Sequence, residues 1–318
     1  MTMFTEEEQR VVNRIIRPGS RFLRLHRRAI ALYEDEICRY LGKPKAVELE
    51  TVAGCNARCS MCWVPQMERT TGVMSDDLFA KLLDDLMEIE PEVVCPFNCG
   101  EPLLDKKILE RIEEIGRRLP HARLVLFTNA ALLDEEKIRR VFALNVASLN
   151  ISFNAGARES YERIMGLDYD RVMENIHRVI ELNTGATIGM SFIRVEENKG
   201  EEPLFREMCR ELGVEARVYE HHDFGGRFKL TASYRFRRAM DFIMPPAPCG
   251  KALGTMTILV DGRVALCCRD CEGEEILGDA KEKSLLEVWN SERGRELRKL
   301  MLLGRRHEIP LCRLCPGH

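Results

Sequence analysis

Cys55-Asn56-Ala57-Arg58-Cys59-Ser60-Met61-Cys62 puts three thiols on one short loop, directly after the alternating, strand-like stretch Val47 to Val52. Thiolates at C-x3-C-x2-C spacing converge on one point, so the rest of the chain has to fold around a metal centre at the end of a strand. Tetrahedral zinc and iron–sulfur clusters both take cysteine ligands, but a zinc site usually shows its four ligands as two pairs, and a nearby fourth ligand is missing here. A four-iron cluster held by three cysteines leaves one iron open to a small molecule. An open coordination position distinguishes a catalytic site from a closed structural one. Incidental thiols, which bury as small hydrophobes, have no reason to cluster at this spacing.

The 318 residues suit one large α/β domain with an appendage, or two small domains. A formal charge of -3 and a pI near 6.2 carry no basic excess, so no nucleic-acid partner is expected. Arg21, Arg24, Arg27 and Arg28 alternate with apolar residues at helical spacing and read as a solvated helix face. No apolar run approaches the roughly 18 residues of a spanning helix, and the acidic start MTMFTEEEQR lacks a signal-peptide core. The expectation is a cytoplasmic chain without a membrane partner. In that compartment thiols stay reduced, so the thirteen cysteines read as metal ligands or catalytic groups rather than a disulfide framework.

Residues 4 to 41 read as two helices broken at Pro18-Gly19. From Ala46 strands and helices alternate. Apolar runs at Val47 to Val52, Val93 to Phe97, Leu124 to Phe127, Leu149 to Phe153, Ala186 to Ile193 and Ala216 to Tyr219 are separated by amphipathic stretches. These are Asp76 to Glu88, capped by Ser75, then Asp105 to Arg118, Asp134 to Leu144, Asp170 to Asn183 and Glu201 to Leu212. This order predicts a parallel sheet with right-handed crossovers. About six units fall two short of a closed eight-stranded barrel, and pattern alone does not separate a partial barrel from a doubly wound sheet. In either fold, functional residues gather at the carboxyl ends of the strands.

At the cysteine loop, with Trp63 after its last Cys, the chain resembles the radical SAM enzymes. The resemblance implies a partial (β/α)6 barrel over residues 45–230, with residues 1–44 as a helical N-terminal extension. It implies that Cys55, Cys59 and Cys62 bind a 4Fe-4S cluster whose open iron chelates S-adenosylmethionine (SAM). Reductive cleavage of SAM would give a 5'-deoxyadenosyl radical that abstracts a substrate hydrogen. Asn98-Cys99-Gly100-Glu101-Pro102 resembles the family's G-G-E-P motif, with Glu101 receiving the SAM amino group and Cys99 standing where glycine is usual. Cys99 is a tolerated small residue, a hydrogen-atom donor or an extra ligand. Thr128-Asn129-Ala130 resembles T-N-G. Ser152 and Asn154 take the place of groups that contact the SAM ribose or carboxylate, and Arg194 offers a fork for that carboxylate. For Thr128, Asn129, Ser152 and Asn154 a turn or cap is the plain alternative, and for Arg194 a surface ion pair. Glu220, His221, His222 and Asp223, before a Gly-Gly turn, read as substrate contacts, an acid/base group or a solvated interdomain loop.

Residues 245–318 form a second constellation. Cys249 precedes a hairpin, Met256 to Val260 and Arg263 to Leu266, turning on Asp261-Gly262. Cys267, Cys268 and Cys271 follow, then a helix from Ser284 to Leu303, and Cys312-Arg313-Leu314-Cys315. This small hairpin-plus-helix domain resembles the twitch/SPASM appendage of the family, closer to the shorter twitch form. By position Cys249, Cys267, Cys312 and Cys315 would hold an auxiliary 4Fe-4S cluster with no open iron. Cys268 or Cys271 could replace Cys267, and a zinc knuckle uses the same ligand types. What the resemblance implies is oxidation of a small sugar- or cyclitol-like metabolite, with the auxiliary cluster as electron acceptor and a flavodoxin or ferredoxin as reductant. Peptide crosslinking, epimerisation with Cys99, Cys209, Cys268 or Cys271 as hydrogen donor, and a non-catalytic iron–sulfur or zinc protein are the other readings.

Overall fold

The computed structural model describes residues 41–144, 146–222, 224, 227, 228, 248–313 and 315. The helices expected before residue 41 lie outside the described residues. The first strand, β1 (Ala46–Leu49), buries Val47 and Leu49 on one face and turns Ala46 and Glu48 to the other. A short antiparallel pair, β2 (Val52–Ala53) and β3 (Gly72–Val73), brackets the cysteine loop. Helix α1 (Asp76–Ile89) follows. The Ser75 hydroxyl accepts Leu78 N–H at 3.3 Å, Asp76 and Asp77 complement the helix dipole, and Leu82, Leu83 and Leu86 bury against the sheet.

The repeats that follow are β4 (Val93–Cys95) with α2 (Ile108–Arg118), β5 (Arg123–Thr128) with α3 (Glu135–Ala143), and β6 (Ser148–Ser152) with α4 (Arg158–Met165) and α5 (Tyr169–Leu182). Then come β7 (Thr187–Arg194) with α6 (Glu202–Leu212), and β8 (Glu215–Glu220). Strands β1, β4, β5, β6, β7 and β8 pair in parallel in that order, the open sheet of a partial barrel. Along β6 the alternation is strict: Leu149 and Ile151 join the helix-side core, while Ser148, Asn150 and Ser152 face the concave side.

The C-terminal residues continue the same sheet. Helix α7 (Gly250–Gly254) leads into β9 (Thr255–Ile258), which pairs in parallel with β1, Ala46 opposite Thr255. Strands β10 (Arg263–Ala265) and β11 (Ile276–Asp279) add antiparallel beyond it. Helices α8 (Leu285–Trp289) and α9 (Glu292–Leu302) then pack below, with Trp289 fully buried.

The structure corrects several boundaries. The helix expected from Asp105 starts at Ile108 instead, after a 3-10 turn over Pro102–Leu104, because the Asp105 carboxylate accepts Lys107 N–H and delays the start. Helix α4 lies where none was expected. The expected helix from Ser284 to Leu303 is two, restarted by the Ser291 hydroxyl accepting Gly294 N–H at 3.1 Å. The hairpin turn is also longer than Asp261-Gly262 alone. Leu259 N–H donates to Arg263 O and Gly262 N–H to Leu259 O, with Gly262 at φ +91°, the form of a type I turn closed by a left-handed glycine.

Candidate active site

The cysteine loop docks on the end of α4. Arg58 N–H donates to Met165 O at 3.2 Å and Ser60 N–H to Ile164 O at 3.0 Å, while Cys59 Sγ lies 3.6 Å from Met165 Sδ. Cys62 N–H closes a turn onto Cys59 O, and Ala57 N–H points at Cys55 Sγ. The three thiols are near enough to feel one another. Burial pushes Cys55 up to about 11, with Glu101 and Cys62 adding to it, and burial also raises Cys59, aided by Cys62 and Cys55. Burial alone lifts Cys62. Partly buried thiols grouped this closely, one of them met by a backbone N–H, suit a cluster that draws off their protons. Among the described residues no three His, Cys, Asp or Glu side chains converge on a single-ion site. A four-iron cube takes thiolates at separate corners.

Gly100 bridges to Gly54, and Glu101 N–H donates to Gly54 O at 2.8 Å, so the G-E-P motif lies directly against the start of the cysteine loop. Gly100 sits at φ +150°, and a Cβ there would stand 2.5 Å from Gly54 O. Glu101 is 1 % exposed. Its carboxylate accepts from Thr128 Oγ1 and Asn129 N at 2.7 Å and from Leu103 N at 3.2 Å, the last through the turn that Pro102 begins. Burial outweighs these three bonds and pushes its pKa up to about 7. A buried carboxylate that no cation reaches among the described residues is what an ammonium group would complete. Thr128 and Asn129 therefore hold Glu101. The Asn129 amide also reaches Asn56 Oδ1 at 2.8 Å and faces Cys55 Sγ at 3.8 Å, tying the third strand end to the cysteine loop.

Trp63 Nε1–H donates to Glu272, the Arg227 guanidinium lies 4.9 Å over its ring, and Phe228 meets it edge-on. Ser152 lies on the concave face at the end of β6. The Asn154 amide has a structural use: it accepts Ile193 N–H and donates to Met165 Sδ, at left-handed φ +63°. Arg194 departs from expectation. Strand alternation puts it with Phe192 on the helix side of β7, where it pairs with Glu202 and Glu220. That pairing removes both Arg194 and Glu220 from the concave site. His221 is buried with Nε2 3.0 Å from Met61 O, so it supports the cysteine loop from below. His222 stacks on Phe224, and Asp223 lies outside the described residues.

In the C-terminal set, burial pushes Cys267 well up, with Cys268, Cys249 and Cys312 adding to it, and burial pushes Cys312 up to about 12, with Cys315 and Cys249 adding to it. Cys249 thus lies within electrostatic reach of both Cys267 and Cys312, and Cys315 of Cys312. Arg269 Nη1 donates to Cys315 Sγ at 3.0 Å. The two substitutes point elsewhere. Cys268 turns to Glu48, and Cys271 is joined to Cys99 in a disulfide, Cα atoms 6.1 Å apart. So paired, Cys99 and Cys271 offer neither a hydrogen atom nor a ligand sulfur, which corrects those readings of the two residues and the expectation that the thiols stay reduced at this one pair. Cys209 is packed in the core of α6, away from the concave face.

Sequence reasoning missed two polar joints. Glu50, fully buried at the end of β1, accepts from Arg69 Nη2 at 2.5 Å, Cys99 N at 3.2 Å and Val260 N at 2.8 Å. On the concave face, Glu48 accepts from Lys251 Nζ at 2.6 Å and Thr257 Oγ1 at 2.9 Å. An acidic residue at every second position of Glu48-Leu49-Glu50 was the available signal.

Known proteins match this arrangement. The profile of the Radical SAM superfamily fits residues 49–206, and that of the SPASM iron-sulfur cluster-binding domain fits residues 249–316. The S-adenosyl-L-methionine-dependent 2-deoxy-scyllo-inosamine dehydrogenase of Niallia circulans is 22% identical over 85% of this chain and 91% of its own length. The crystal structure of BtrN with AdoMet and 2-DOIA superposes with a TM-score of 0.60, at 19% identity, over 85% of this chain and 92% of that one. Streptococcus suis SuiB bound to its precursor peptide SuiA gives 0.66 at 15% identity, over 87% and 71%. These two likenesses show the fold. With the profiles matching the barrel and the C-terminal cysteines in turn, the chain belongs to the radical SAM superfamily, carries a SPASM/twitch-type auxiliary cluster domain, and uses SAM and 4Fe-4S clusters as cofactors.

Proposed function

We propose that the chain dehydrogenates a small polyhydroxylated metabolite, a sugar or cyclitol, using the auxiliary cluster as acceptor of the second electron. The observation that carries this reading is the auxiliary set. With Cys249, Cys267, Cys312 and Cys315 as its ligands, four thiols would close the cluster against substrate and leave it to electron transfer; the mutual influence of Cys249, Cys267 and Cys312, and of Cys312 and Cys315, supports this set. The likeness to the 2-deoxy-scyllo-inosamine dehydrogenase over nearly all of that enzyme supports the substrate class. When bound, SAM and the cluster of Cys55, Cys59 and Cys62 supply a 5'-deoxyadenosyl radical.

The chain's own contribution is a polar concave face. Glu48 and Lys251 present a carboxylate and an ammonium, and Ser148, Asn150 and Ser152 line β6. Asn150 is 1 % exposed, and its Oδ1 has no partner among the described residues. Such groups orient hydroxyls where a substrate reaches the concave face. Arg269 beside Cys315 supplies a positive charge at the auxiliary set, which favours arrival of an electron there. The sheet also brings both cysteine sets onto one scaffold, since β1 leads to the first and β9, its neighbour, follows Cys249.

The test is turnover on anaerobically loaded protein with a flavodoxin or ferredoxin reductant and a panel of cyclitols and aminocyclitols. A ketone formed with 5'-deoxyadenosine is expected. Cys312→Ser should keep 5'-deoxyadenosine release while losing the ketone. A SuiB-like peptide crosslinking reading competes, favoured by the fold likeness. If peptides stimulate SAM cleavage and no polyol does, dehydrogenation is refuted.

A further inference from the structure

One segment of the auxiliary module reaches the SAM side of the barrel. Residues 267–275 lie in the connection between β10 and β11. The shape of this segment is fixed from inside by Asp270, 1 % exposed, whose two carboxylate oxygens accept Glu274 N–H and Glu275 N–H at 2.8 Å. Its outer edge meets the barrel at two adjacent residues. Cys271 bonds to Cys99, next to Gly100, and its carbonyl accepts from Arg69 Nε. Glu272 accepts from Trp63 Nε1, from Glu68 N at 3.1 and 3.2 Å, and from Arg69 N at 3.1 Å. Arg227, over the Trp63 ring, is itself paired with Glu274 of the same segment.

We propose that Glu272 is a positioning residue for SAM. It sets the orientation of Trp63, so the auxiliary module builds part of the SAM pocket as well as receiving an electron. An indole has one hydrogen-bond donor, and the group that accepts it fixes how the ring is turned. Here the acceptor comes from a segment rooted in the auxiliary ligand Cys267 and acts on the residue directly after Cys62. The same carboxylate accepts the N–H groups of residues 68 and 69, which fixes its own position beneath the indole N–H. The proposal rests on Trp63 being a SAM contact.

Trp63 is one of two tryptophans. The other, Trp289, is buried and donates to Leu41 O, so Trp63 emission can be isolated by subtracting the Trp63→Phe spectrum. In metal-free full-length protein, Glu272→Ala should shift Trp63 emission to the red and lower its anisotropy, while Glu272→Gln, which keeps one acceptor oxygen, should shift it less. In cluster-loaded, unreduced protein, Glu272→Ala should raise the SAM Kd by about tenfold, the scale of a lost outer-shell partner, and Glu272→Gln by less. Adding Glu272→Ala to Trp63→Phe should then weaken binding no further. If Trp63→Phe leaves SAM affinity unchanged, the reading of Trp63 fails and the proposal with it. If Trp63→Phe weakens SAM but Glu272→Ala does not, Trp63 keeps its role and only the proposal is overturned. Additive losses in the double variant overturn it too, because Glu272 would then act by another route.

Discussion

Titrating SAM affinity through neutrality tests the assignment of Glu101. Its carboxylate is buried, holds three donors and lacks a cationic partner among the described residues, and burial raises its pKa to about 7. An ammonium group and a proton compete for that carboxylate, and SAM binds the ionised form. Affinity is therefore at its plateau above pH 7 and falls as the pH drops through 7. For one site the Kd is multiplied by 1 + 10^(7 − pH), about elevenfold at pH 6 and close to one at pH 8. Without SAM the sign for stability is the reverse. A carboxyl whose folded pKa lies above its ordinary 4.5 contributes stability below pH 4.5 that is lost as pH rises through 7, about 3 kcal/mol in all. Equilibrium dialysis of labelled SAM against cluster-loaded, unreduced protein reads the first effect, and Glu101→Gln should bind weakly with no pH dependence between about pH 6 and 8. A wild-type Kd that stays flat over that interval refutes the reasoning, because no competing proton would then sit on the SAM ammonium site.

Arg69→Met should destabilise the fold by about 3–5 kcal/mol, since it strands the fully buried Glu50 carboxylate, and Arg69→Met/Glu50→Gln should recover part of the loss in urea unfolding. A single-variant loss under about 1 kcal/mol would count against a buried pair. Gly100→Ala should abolish measurable SAM binding while the barrel still folds, because its Cβ drives against the Gly54 carbonyl on the edge of the cysteine loop; SAM binding at the wild-type level would refute this. Cluster loading should release protons, since Cys55 at about 11 and Cys312 at about 12 are protonated thiols at neutral pH. A pH-stat should count about one proton per ligating cysteine, and uptake without release would mean these thiols are not the ligands.

The parts of the site legible in the sequence are local. The cysteine loop, G-E-P and T-N each follow a strand directly, so strand order and register delivered them to one end of the sheet. Arg194 and Glu220 were misplaced by one parity step: on neighbouring parallel strands they face each other across the helix side, and period-two counting from Phe192 would have shown it. Joints made between distant segments left no trace in any window. Cys99 finds Cys271, Trp63 finds Glu272, and Glu50 finds Val260, each across most of the chain. Local competition explains the remaining boundary errors, as where Asp105 and Ser291 side chains cap backbone groups and restart a helix inside an unbroken hydrophobic period.

The parallel pairing of Ala46 with Thr255 governs how this chain must assemble. During synthesis β1 emerges first, yet its second neighbour arrives only after the whole barrel has been made. Until then, among the described strands, β1 has a partner on one side alone, and such an edge is the kind of template that recruits strands from other molecules. So long-range a closure also slows folding, because segments far apart in the sequence must meet before the contact is formed. Truncating the chain before β9 should therefore give an aggregating barrel, and aggregation should be suppressed by supplying β9 to β11 in trans. In the nascent chain the last strands act as a chaperone for the first.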